Sequence, residues 1–277
     1  PLAIFLDLDI LCQEPLLLLQ SGFSDLIGKV TANSDWVLRH FLQEEYICDY
    51  SWELVREALQ ILWESADQIP QRNPEAIKAL TIALLNSGFS MALVGDSRPA
   101  SGAEHLVAHY LEMVRLSQGG KTSLHGLRVG AATLLIQKMY RRFLQEMNDI
   151  DWDKIATSSP PPIDKEILEK QFGPLYPFVE KEATSKIAAP LFISNDRKQP
   201  HFFSTLSQAI SEKLDAIPDV EQSLKRSKTP STFEELGFDR SLVKNAFLYS
   251  RFVRKRITLL DFLDEAGLLE KYVEEFL

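Results

Sequence analysis

GDSRPASGAEHLVAHYLEM, residues 95–113, is the stretch from which the architecture of this chain can be worked out. It opens as a loop, because the apolar run Met91–Val94 stops at Gly95 and Pro99 forbids a regular helix. A helix then starts. Ser101 and Glu104 stand three apart ahead of an apolar-periodic segment, the spacing of a capping box in which each side chain satisfies a free backbone N–H. His105 therefore falls in the first turn and His109 one turn later, so both imidazoles leave one helical face with their Cβ atoms about 6 Å apart. The positive end of the helix dipole disfavours an added proton on His105. It leaves a neutral imidazole with a free lone pair, the form a metal ion requires.

Helical periodicity continues on both sides. Helices are expected within Leu16–Glu45, punctuated by Gly22 and Gly28, and over Trp52–Gln68, Pro74–Ser87, Gly102–Ser117 and Leu124–Met147. Ser117–Lys121 (SQGGK) is a flexible connection that lets the last two fold back on each other and share a site. Residues 148–163, with three prolines at 160–162, read as a stiff polar linker. Beyond it helices are expected at Asp164–Phe172, Tyr176–Ala188, Gln199–Ile217, Thr232–Leu236, Arg240–Val253 and Thr258–Glu265, with Gly237 and Gly267 as C-terminal caps. Only Leu2–Leu11 (LAIFLDLDIL) reads as a β-strand, and a lone strand must find partners elsewhere. The fold class is mainly α, with one stray N-terminal strand.

Composition narrows the partners. Among 277 residues, 39 acidic against 30 basic side chains give a net charge of −9, which argues against nucleic acid or an anionic membrane. No uninterrupted apolar run approaches the roughly 20 residues needed to cross a bilayer. Cys12 and Cys48 form neither a disulfide framework nor a metal spacing and are read as core, so a reducing cytoplasm is expected. The chain begins at Pro1 directly on its strand signal, and a segment ahead of it is expected.

The candidate chemistry lies in five histidines. His40 and His201 are read as ordinary helical residues. His105, His109 and His125 are read together, because the Gly-Gly connection can carry His125, at the start of LHGLRVGAATLL, back toward His105. Two imidazoles and a carboxylate leave open positions on a divalent metal. Asp25, Asp35, Glu104 and Asp96 are the candidate carboxylates. Capping accounts for Glu104 and its loop for Asp96, while spacing alone does not separate Asp25 from a solvated helical aspartate. None of the 12 glycines forms a dinucleotide fingerprint or a P-loop. Arg251, Arg254, Lys255 and Arg256 read as a solvated helix end or a salt-bridge set, with a phosphate site as the alternative.

Taken in order, DLDIL at 7–11, GFSDLIGKVTANSDW at 22–36, SRPASGAEH at 97–105 with His109, HGLRVG at 125–130 and FVRKRITLLDFLDEAGLLE at 252–270 resemble the sn-glycerol-1-phosphate dehydrogenases, archaeal and bacterial arabinose-operon types alike. These are relatives of glycerol dehydrogenase, iron-containing alcohol dehydrogenases and dehydroquinate synthase. The resemblance implies a multi-helical C-terminal domain of that superfamily over residues 15–277, with residues 1–14 as the terminal strand of a Rossmann-like cofactor domain that precedes it. It places the metal ligands on Asp25, His105 and His125, with Asp25 also at the substrate. His109 faces the substrate as the catalytic residue, so the i,i+4 histidine pair is not a pair of ligands. Cofactor-binding residues are not identified. Ser24 stands where the family usually has glycine, which bears on the fit of the substrate.

The implied activity is NAD(P)H-dependent reduction of dihydroxyacetone phosphate to sn-glycerol 1-phosphate for phospholipid biosynthesis, with zinc or nickel before iron as the metal, in a cytoplasmic homodimer. By the same reasoning, the chain without its cofactor half is inactive. The alternatives are another polyol dehydrogenase, a dehydroquinate synthase-like enzyme, or a non-catalytic metal-binding helical module.

Overall fold

A computed structural model describes residues 2–150, 164–187 and 201–277, and every α or β element among them is helical. In chain order these are α1 Leu8–Gln13, α2 Leu16–Ile27, α3 Lys29–Gln43, α4 Asp49–Ser65, α5 Pro74–Val94, α6 Ala103–Ser117, α7 His125–Glu146, α8 Lys165–Phe172, α9 Tyr176–Ile187, α10 Phe202–Leu214, α11 Val220–Arg226, α12 Arg240–Tyr249, α13 Leu259–Glu265 and α14 Leu269–Phe276. From residue 151 onward the expected linker lies outside the described residues, as do the ends of the expected helices at Ala188 and Gln199.

The strand expected over Leu2–Leu11 is not formed. Residues 2–7 carry no regular structure and Leu8–Gln13 is helical. A strand needs a neighbour for its ladder, and none exists among the described residues; Asp7 instead accepts from the N–H groups of Asp9 (3.0 Å) and Ile10 (3.2 Å) and caps a helix.

Other boundaries moved for local reasons. α5 runs on past Ser87 and Gly88 to Val94, stopping at Gly95, whose φ of 72° is open to glycine without strain. By length and composition α5 could cross a membrane. Lys78, Glu75 and Asn86 hide this from a search for uninterrupted apolar runs, and the face carrying Ile77, Leu80 and Ala83 is packed into the core. The short helix expected at Thr232–Leu236 is a turn. Glu235 Oε2 accepts from the N–H groups of Ser231 and Thr232 there, closing the chain before a full helix can propagate. α11 and α14 were not anticipated, and Cys12 and Cys48 are only half-buried.

α7 divides the interior. Ala131, Ile136, Met139 and Phe143 join a core built from α3, α6 and the C-terminal helices, while Leu134 belongs to a second core of α2, α4 and α5. Each of the larger ones, when fully buried, contributes roughly 1.5–3 kcal/mol. α2 and α7 pack backbone to backbone. A Cβ on Gly126 would fall inside the contact distance of Ser21's carbonyl, 2.7 Å from its carbon, and one on Gly130 would lie 2.8 Å from Ser24 Cβ. Ser24 is buried in this crossing with its hydroxyl donating to Gln20 O (2.8 Å), and the absent side chain at Gly130 makes room for it.

The start of α6 is held differently from the expected capping box. Its N-cap is Gly102, and Ser101 makes no capping bond. Asp35, from α3, accepts from Ala103 N–H (2.6 Å), from Leu259 N–H at the start of α13 (2.7 Å) and from Tyr140 O–H on α7 (2.5 Å). One buried carboxylate thus ties four helices together, and the absent side chain at Gly102 leaves space for it.

Candidate metal centre

Asp25 is carried by α2, His105 by the first turn of α6 and His125 by the first residue of α7. The glycine-lined crossing of α2 and α7 and the Asp35 clamp on α6 bring these three chain segments to one point. Nε2 of His105 lies 3.3 Å from Asp25 Oδ1, and Nε2 of His125 lies 3.6 Å from the same oxygen. Donor atoms from all three residues lie within 4.8 Å of one another. Ligands at about 2.0–2.1 Å from a tetrahedral ion stand roughly 3.3 Å apart, so the donor set and its spacing fit a divalent cation.

The surroundings orient these donors. Glu104 Oε1 lies 2.7 Å from His105 Nδ1, which assigns the ring proton to Nδ1 and turns the Nε2 lone pair toward Asp25. The same carboxylate accepts from Gly102 N–H (2.7 Å), and its other oxygen accepts from Thr31 (2.8 Å). Lys29 donates to Asp25 Oδ2 at 2.8 Å, leaving Oδ1 for the histidines. The signal for Glu104 was its place directly before a candidate ligand, and capping explains only one of its bonds.

Charge follows from these contacts. Burial works against ionised Asp25, but Lys29 and His105 outweigh it and hold the carboxyl well below the usual range. Burial and Lys29 oppose a proton on His105, yet its bonds with Asp25 and Glu104 win and raise its pKa. The two carboxylates thus favour a proton on the ring in the metal-free chain. A cation entering here takes the place of that proton.

His109 stands beside the three without touching Asp25. Its ring stacks on His125 with centroids 5.1 Å apart and lies 6.3 Å from His105. Burial, then the charges of His125 and His105, lower its pKa to about 4, so it is neutral with a lone pair at physiological pH. A second grouping, His109, Glu112 and His125, also has closely spaced donors. There Arg128 pairs with Glu112 at 2.8 Å, and His109 Nδ1 lies 3.9 Å from the same carboxylate.

The remaining candidates are structural. Asp35 is the interhelical clamp, Asp96 accepts from Arg98 N–H (2.9 Å) within its loop and pairs with Arg256 (2.8 Å), and His40 bonds the carbonyl of Glu45 (2.8 Å).

No family model matches the chain. Among curated proteins it is 44% identical over 141 residues to glycerol-1-phosphate dehydrogenase, NAD(P)+, of Halalkalibacterium halodurans, covering 51% of the chain and 35% of that protein. It is 30% identical over 272 residues to the enzyme of that name from Bacillus licheniformis, covering 97% of the chain and 55% of the relative. The corresponding protein of Geobacillus stearothermophilus is 30% identical over 274 residues, 98% of the chain and 59% of the relative. At that coverage the chain spans little more than half the length of these relatives.

Proposed function

Since the chain belongs to the glycerol-1-phosphate dehydrogenase family, we propose that it is the metal- and substrate-holding part of an NAD(P)-dependent enzyme that reduces dihydroxyacetone phosphate to sn-glycerol 1-phosphate. The observation that carries this reading is the approach of two imidazole nitrogens from separate helices to the single oxygen Oδ1 of a half-buried aspartate.

Asp25, His105 and His125 would hold a divalent ion, zinc or nickel before iron, which supplies electrophilic polarisation of a substrate oxygen. The residues of the chain do the rest of the positioning. Glu104 fixes the His105 tautomer, and Lys29 keeps one Asp25 oxygen engaged so that the other faces inward. Reduction of the ketone needs a hydride from the nicotinamide and a proton at the oxygen. His109, neutral and partly exposed beside His125, is placed to hand that proton on from solvent. None of the 12 glycines of the chain forms a dinucleotide loop, and hydride transfer requires the nicotinamide carbon within about 3–3.5 Å of the substrate carbon. The chain by itself is therefore expected to lack turnover.

Elemental analysis of the purified protein tests the metal site. The wild type and His109→Ala should retain about one equivalent of divalent metal, and His105→Ala should lose it. In the full-length enzyme His109→Ala should lower the rate of dihydroxyacetone phosphate reduction, followed by loss of nicotinamide absorbance. Retention of metal by His105→Ala would defeat the ligand assignment. Turnover by residues 1–277 alone at about 1 per second or faster would defeat the division of labour.

A further inference from the structure

His109 and Glu112 stand three apart on α6, and His125 and Arg128 stand three apart on α7, so each pair projects from one helical face. The two faces meet in two rungs. In the first, the His109 ring stacks on that of His125 with centroids 5.1 Å apart and planes tilted by 29°. In the second, Arg128 Nη2 lies 2.8 Å from Glu112 Oε1. The chemistry proposed for the site draws on the first rung only.

The second rung is anchored from the α7 side. Arg128 is fully buried; Nε donates to Ala108 O (3.3 Å), the carbonyl next to His109, and Nη1 donates to Thr122 Oγ1 (2.6 Å) and to Ser123 O. Only Nη2 lacks a directed hydrogen bond, and it faces Glu112. A guanidinium buried in the interior needs a counter-ion, which is reason enough for a carboxylate here. It does not explain how that carboxylate is turned. Arg128 engages Oε1, and the other oxygen, Oε2, lies 3.9 Å from His109 Nδ1. That is about 1 Å beyond a hydrogen bond. The last torsion of a glutamate is broad, and hydrogen bonds of this kind are often long before a substrate arrives and tighten with it.

We propose that Glu112, held by Arg128, is the positioning residue of His109: its carboxylate accepts from Nδ1–H and thereby presents Nε2 to the substrate. The inference rests on the reading of His109 as the residue that faces the substrate. An ionised carboxylate only accepts, so the nitrogen beside it must carry the ring proton. The same division holds one turn back on α6, where Glu104 Oε1 sits 2.7 Å from Nδ1 of His105 and Nε2 is left for Asp25. Without Glu112 the ring keeps its stack on His125 but loses the contact that distinguishes its two nitrogens.

The experiment reads the ring directly. Imidazole nitrogen NMR of the protein at neutral pH, with the His109 signals identified by their loss in His109→Ala, shows which nitrogen bears the proton. In the wild type it should be Nδ1. In Glu112→Gln, Arg128 claims the amide oxygen and leaves the NH2 group toward His109, so the proton should move to Nε2; Glu112→Asp should restore part of the wild-type pattern. In the full-length enzyme Glu112→Gln should lower kcat by about tenfold to a hundredfold, the cost of a misplaced group, with KM little changed, the mark of an interaction made in the transition state. In a His109→Ala background the same substitution should cost nothing further, because a positioning residue acts only through the group it positions. A lower melting temperature of Glu112→Gln with the His109 proton unmoved overturns the proposal and leaves Glu112 as the counter-ion of Arg128. Equal slowing in the wild-type and His109→Ala backgrounds overturns it as well. A proton that moves to Nε2 in an enzyme whose turnover is indifferent to His109→Ala supports the placement of Glu112 and defeats the reading of His109 on which it was built.

Discussion

Replacing Gly126 with alanine probes whether the α2–α7 crossing sets the ligand geometry. The new methyl carbon would lie 2.7 Å from Ser21's carbonyl carbon and 2.8 Å from its Oγ, and closer still to the carbonyl oxygen. Ordinary contact begins at 3.4 Å, so the two helices must part by about 0.7 Å or more at a point where the obstacle is backbone and cannot rotate aside. Overpacking of this kind costs about 1–3 kcal/mol, and the upper end applies to an immobile neighbour. Alanine regains up to about 1 kcal/mol of helix propensity. The net loss is then about 2 kcal/mol, or a melting temperature lower by roughly 4–8 °C. His125 is the adjacent residue, so parting the helices also draws it away from Asp25. Metal affinity should fall about tenfold or more, as it does when the support of a ligand is removed. Gly88→Ala is the control. Nothing lies within 4 Å of its added carbon, and it should stabilise by about 0.5–1 kcal/mol. Thermal denaturation of both variants, with metal affinity from chelator competition, gives the answer. Gly126→Ala as stable as Gly88→Ala, with wild-type metal affinity, would refute the close-approach argument.

Glu104→Gln keeps the shape but weakens the acceptor at His105 Nδ1, and metal affinity should drop about 10–100-fold by chelator competition, with the rest of the fold intact by circular dichroism. Metal retention should also fall on acidification. Because Asp25 and Glu104 raise the His105 pKa, a proton begins to compete above pH 6.5, and affinity should decline about tenfold per pH unit below the raised value, measured by chelator titration across pH. His125, whose pKa burial and His105 lower, should add its own competition only at more acidic pH. Asp35→Ala strands the N–H groups of Ala103 and Leu259 and the hydroxyl of Tyr140, and chemical denaturation should register a loss of about 3–5 kcal/mol.

The helical class, the loop ending at Gly95 and the first-turn place of His105 follow from periodicity and from glycine and proline chemistry, which are local. Asp25 does not. Spacing could not separate it from a solvated aspartate, and only the family resemblance singled it out, because its meeting with His105 and His125 depends on how closely two helices cross. The strand at Leu2–Leu11 failed for the reverse reason, since β-favouring side chains specify a ladder only where a neighbouring strand exists. Glu104 was half legible. Its bond to Gly102 follows from capping, whereas its bonds to His105 and Thr31 require α3 to lie alongside. Arg254 and Arg256 looked alike in the sequence, and only the fold reveals that Asp96 pairs with Arg256.

The Asp35 clamp also orders events in time. Its partners Ala103 and Leu259 lie 68 and 224 positions along the chain. At a synthesis rate of roughly 5–20 residues per second, Leu259 is made about 11–45 s after Asp35. For the last 134 of those positions, about 7–27 s, the carboxylate is without one of its native donors although Asp25, His105 and His125 have all been made. A nascent chain can thus meet a cation before the C-terminal helices arrive to brace its ligands. A segment made well after the three ligands thus decides how firmly their site is held.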